Sequence, residues 1–70
     1  MMPLAMANSG EQGSIKKVGG DGGIRKFLET LGFVAGSSVT VITKTDGNVI
    51  VSIKEARITI SKEMAGKIYI

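Results

Sequence analysis

The chain has 70 residues, no cysteine, no histidine, and a formal charge of +3 from nine Lys and Arg against six Asp and Glu. A chain this short supports one domain, spanning 1–70, with a thin stability margin, because it buries only about 60% of its unfolded surface. Without Cys there is no disulfide staple and no thiolate metal site, and without His the usual general base is missing.

Hydrophobic residues make up 43% of the chain, and Val and Ile lead them, a bias toward strands. The aromatics are Phe27, Phe33 and Tyr69. The nine cations are dispersed with no block of five like charges, the pattern of a solvated basic surface. No segment approaches the ~20 apolar residues that span a bilayer. The apolar start, Met1 to Ala7, lacks a basic flank and is short for a signal peptide. A cytoplasmic location without membrane insertion is therefore expected.

Leu4, Met6 and Ala7 open the chain as a short strand or a turn tucked against the body. Ser14 to Val18 reads as a first strand, with Lys16 and Lys17 breaking its alternation. Gly19 to Gly23 is a flexible connector that holds Asp21, the N-cap of the helix that follows. Ile24, Phe27, Leu28 and Leu31 recur on one helix face. Their burial has to hold a helix that glycines weaken in its first turn. Arg25, Lys26, Glu29 and Thr30 face water, and the spacing of Arg25 and Glu29 allows an ion pair. Gly32 stands where the helix end needs positive φ, and Phe33 is expected to pack back on Leu28.

Val34 to Gly36 is a turn, and Ser37 to Lys44 is the second strand, with Val39 and Val41 on one face and Thr40 and Ile42 on the other. Asp46-Gly47 signals a type I′ hairpin turn. Asn48 to Lys54 is the third strand, with Val49, Val51 and Ile53 inward and Ile50 and Ser52 outward. Glu55 lies in a second tight turn before a fourth strand, Ala56 to Ile60. Ser61 caps a single helical turn, Lys62 to Ala65, which Gly66 ends before a last strand, Lys67 to Ile70. The pattern predicts a mostly β fold, a small SH3-like barrel of about five strands with one inserted α-helix.

The side chains announce no chemistry. Glu11, Asp21, Glu29, Asp46, Glu55 and Glu63 are scattered, and methionine thioethers are soft ligands suited to Cu(I). Ser37, Ser38 and Ser61 occupy turn and cap positions. The Gly19–Gly23 run lacks the Lys-Ser/Thr ending of a P-loop, and Asp21 would repel phosphate. No catalytic, cofactor-binding or metal-binding residue is assigned. Proline-rich ligands need an aromatic-lined groove that Tyr69 alone cannot form. Nucleic acid suits a basic chain but wants stacking aromatics and gathered charge. Protein docking remains, on two patches: Ile42 and Ile50 on the outer sheet face, and Arg25, Lys26 and Glu29 on the wet face of the helix. Self-association is a third, weaker reading.

The ordered set Leu31-Gly32-Phe33-Val34, Gly36, Val39 and Val41 resembles the FeoA family. The resemblance runs from the Leu4-Ala5-Met6-Ala7 leader through Arg57-Ile58 to Lys62-Glu63-Met64-Ala65 and Ile68. It implies an SH3-like accessory protein of bacterial ferrous iron uptake. The implied partner is FeoB, a membrane transporter with a cytoplasmic GTPase domain, and the implied role is docking or regulation. The chain departs from the family at Ala35, where proline is frequent, and at Glu55-Ala56, where glycine is frequent. The same barrel resembles the C-terminal domain of iron-dependent repressors. The alternative function is therefore a nucleic-acid-binding or repressor-like domain.

Overall fold

A computed structural model describes residues 1–70. Six strands form two antiparallel sheets. The larger sheet takes β1 (Gln12–Ser14), β3 (Ser38–Thr45), β4 (Asn48–Ile53) and β5 (Ala56–Ser61), in that order. The smaller pairs β2 (Lys17–Val18) with β6 (Ile68–Tyr69). Two helices, α1 (Gly22–Thr30) and α2 (Lys62–Ala65), and a 3-10 turn at Leu4–Met6 complete the fold.

The single first strand expected over Ser14 to Val18 is two strands in different sheets. Ile15 is the crossing point. Its side chain enters the core, while its N–H donates to the Ser37 carbonyl at 2.8 Å and its carbonyl accepts from Gly36 N–H at 2.8 Å. The next residue, Lys16, already donates its N–H to Tyr69 in the small sheet, at 2.7 Å. Two exposed lysines after one buried isoleucine cannot keep a two-residue alternation on one sheet. The chain ends are laced together, since Met2 and Ile70 exchange backbone hydrogen bonds of 2.8 and 2.9 Å. The N-terminal segment is tucked in, with Leu4 and Ala7 fully buried.

Helix α1 starts and stops where the sequence indicates. The Asp21 carboxylate accepts from Ile24 N–H at 2.9 Å, satisfying one orphan donor of the first turn. At the other end Gly32 adopts φ +106°, its N–H donates to Glu29 at 3.0 Å, and Phe33 N–H donates to Leu28 at 3.0 Å. This reciprocal pair is a Schellman motif. Leu28 and Phe33 both lie in the core with no exposed surface. A second reversal follows at once. Ser37 N–H donates to Val34 at 3.1 Å and Gly36 takes φ +92°, the geometry of a type II turn with Ala35 at its second position.

Strands β3 and β4 bury Val39, Val41, Val49, Val51 and Ile53 on one face, as their alternation predicts. The hairpin turn between them is not type I′. Only Gly47 has positive φ, at +80°, and Asp46 does not. The type I′ geometry falls instead on the β4–β5 connection, where Lys54 and Glu55 have φ of +49° and +65° between paired Ile53 and Ala56. The six register pairs from Asn48↔Ser61 to Ile53↔Ala56 leave only two residues to close this hairpin, and the strands' twist selects the turn despite its composition. Ser61 Oγ then accepts from Met64 N–H at 3.2 Å and starts α2. All 13 buried residues are apolar.

Two stability changes are expected. Gly32→Val should cost more than ~1 kcal/mol in urea denaturation, because a β-branched residue resists positive φ. The loss falls on the backbone, since an added Cβ meets only the stem of Lys54, no nearer than 3.5 Å. An unchanged midpoint contradicts the capping role. Glu55→Gly should stabilise by about 0.5–1 kcal/mol and raise the Tm by several degrees, since glycine relieves the left-handed conformation. A lower Tm contradicts the strain.

Candidate docking surface

The two patches of the sequence reading fall in different settings. On the larger sheet, the β3–β4 register shifts between Val41 and Thr43, so Ile42 is the extra residue of a β-bulge. Ile50 therefore stands opposite Thr43 on β3 and Thr59 on β5, and does not face Ile42 directly. Both isoleucines are half-buried and neither belongs to the core or to the side chains packed against it. They form a modest apolar spot flanked by threonines.

Arg25, Lys26 and Glu29 are exposed on α1. At roughly 100° per residue, Arg25 and Glu29 lie about 160° around the helix from Phe27, and Lys26 lies about 100° from it. None of the five side-chain hydrogen bonds joins Arg25 to Glu29, so both side chains stay free on the wet face.

The main correction concerns the apolar face. Of the four side chains expected to seat α1, only Leu28 is fully buried. Ile24 and Leu31 are half-buried against the core, and Phe27 is 48% exposed. The Schellman turn supplies the cause. It draws Leu28 and Phe33 into one core and so fixes the rotation of the helix. Phe27 is one residue back, about 100° around, and is carried out to the lip. Spacing alone gave the arc of four but not its centre; the glycine-phenylalanine cap was the signal for that centre.

Cations stand at both ends of this lip. A Cβ built on Gly20 would lie 3.0 Å from Lys67 Cδ and 3.2 Å from Ile24 Cγ2, so both side chains converge at the N-terminal end. At the C-terminal end the stem of Lys54 lies over Gly32. The sequence reading missed both lysines, because each arrives from a distant turn. No pocket opens in the surface, and no three His, Cys, Asp or Glu side chains gather. No helix is long and apolar enough to cross a membrane.

The architecture is that of small, mostly β, SH3-like proteins. A family model described as the FeoA domain matches residues 2–70. A protein of Methanocaldococcus jannaschii, provisionally named Fe(2+) transport protein A, is 37% identical over 70 residues, covering 100% of this chain and 85% of its own length. The crystal structure of an iron uptake regulatory protein, FeoA, superposes with a TM-score of 0.89 at 25% identity, over 96% of this chain and 91% of that one. The zinc complex of Stenotrophomonas maltophilia FeoA, described as a procaryotic SH3 domain protein, gives a TM-score of 0.83 at 21% identity, over 97% and 86%. The chain belongs to the FeoA family, and its role is accessory to ferrous iron transport.

The burial contrast on α1 has a direct test. Leu28→Ala should cost about 2–5 kcal/mol, whereas Phe27→Ala should cost less than about 1 kcal/mol. Equal losses in urea denaturation contradict the exposed placement of Phe27.

Proposed function

We propose that this chain is a non-enzymatic module that docks on the cytoplasmic part of a FeoB-type ferrous iron transporter and modulates its assembly or GTPase-linked activity. Family membership supplies the pathway. The observation that carries the docking is the exposed aromatic on α1: Phe27 is 48% exposed, whereas Phe33, the other phenylalanine, is fully buried. A surface without a pocket suits contact with another macromolecule better than turnover of a small one. The reading places the chain in the cytoplasm, where the GTPase domain lies, and gives it no resident cofactor.

The test is titration of the purified chain against the soluble cytoplasmic domain of the transporter and against the full transporter in detergent. Saturable binding at tens of micromolar or tighter is expected. Failure to bind both overturns the proposal. DNA or RNA binding that falls steeply with salt, with no binding to the transporter, favours the repressor-like alternative.

A further inference from the structure

We propose that the lip of α1, formed by Phe27 with Ile24 and Leu31, anchors the docking surface and takes an acidic segment of the partner that carries an apolar side chain between its carboxylates. The inference rests on the docking reading above and names the partner's chemistry.

The lip is apolar along its length. Phe27 is 48% exposed, and Ile24 and Leu31 flank it half-buried one turn to either side. Exposed aromatics beside half-sealed aliphatics are the composition of an interface anchor. Positive charge surrounds it. Lys67 converges with Ile24 at one end, Lys54 overlies Gly32 at the other, and Lys26 stands on the solvent side. Two acids stand near the three rim lysines: Asp21, whose carboxylate accepts the Ile24 N–H, and Glu55, next to Lys54 in sequence; Glu29 lies on the far face.

From Ile24 to Gly32 the helix rises about 12 Å. A partner segment would therefore present carboxylates on both sides of one apolar residue, about two helical turns or four extended residues apart. The charge pattern steers such a segment to this face and fixes its direction, while the aromatic contact supplies affinity. An anionic bilayer is the weaker match, because headgroup-binding patches gather four to eight cations and this rim has three.

The experiment uses the full chain and the soluble cytoplasmic domain of the FeoB-type transporter, with binding measured by calorimetry. Phe27→Ser should fold normally and weaken binding about tenfold or more. Lys54→Glu with Lys67→Glu should weaken it comparably and flatten its salt dependence. Lys44→Glu, at the opposite end of β3, makes a single charge reversal off the rim and should leave affinity within about twofold. Wild-type affinity in Phe27→Ser overturns the inference and leaves the docking reading standing. No binding by the wild type to this domain or to the full transporter overturns the docking reading and this inference with it. Adsorption to phosphatidylserine-containing vesicles that Phe27→Ser abolishes, with domain binding unchanged, assigns the lip to membrane and also overturns the inference.

Discussion

The reversal at Gly32 organises the molecule. Two hydrogen bonds, from Gly32 to Glu29 and from Phe33 to Leu28, end the helix and aim the next residue back beneath it. The positive φ of Gly32 makes both bonds reachable. Because Leu28 and Phe33 must share one core, the helix has a single rotation about its axis. That rotation decides which side chains are sealed and which reach water. The type II turn at Val34–Ser37 then hands the chain to β3, and the Gly36 N–H fixes the Ile15 crossing from the opposite side. Helix end, first sheet and crossover thus meet within a few residues.

A second constraint substitutes for covalent staples. A domain of this size lacks area for a generous core. Its buried side chains are all apolar, so no buried polar side chain imposes a desolvation cost. Backbone bonds between Met2 and Ile70, Lys16 and Tyr69, and Gly19 and Lys67 join the two chain ends to each other and the C-terminal segment to β2 and its flanks. Leu4, Ala7, Ala65 and Ile68 fill the space beneath. Closing the ends in this way protects the segments where fraying would otherwise begin.

Elements whose side chains alternate were legible in the sequence. Val39, Val41, Val49, Val51 and Ile53 face inward as their period demands, and Asp21, Ser61 and Gly32 cap as their chemistry demands. The failures share a cause. The split at Ile15, the turn at Lys54-Glu55 and the bulge at Ile42 are set by how distant strands register, and local composition does not encode that. Phe27 belongs to the same class. Its residue type predicts burial, and only the tertiary rotation of α1 exposes it. The lysines beside it arrive from the β4–β5 turn and the segment before β6, so no sequence window contains the whole patch.

The small extent of the exposed lip has a consequence for how such a protein works. The proposed contact, confined to one aromatic, two half-buried aliphatics and a cationic rim, would fall in the class of transient interfaces, well short of an obligate subunit boundary. Charge speeds encounter, and the modest apolar area keeps dissociation fast. The proposed modulation of a transporter cycle would use both, because a partner that never leaves cannot report or respond. The rigid end-to-end closure of the fold adds to this. Little of the chain has to order on binding, so a small contact retains more of its free energy as affinity. Under the proposed docking, the shallow seating of α1 trades stability for contact, since sealing Phe27 would gain stability and remove the proposed anchor.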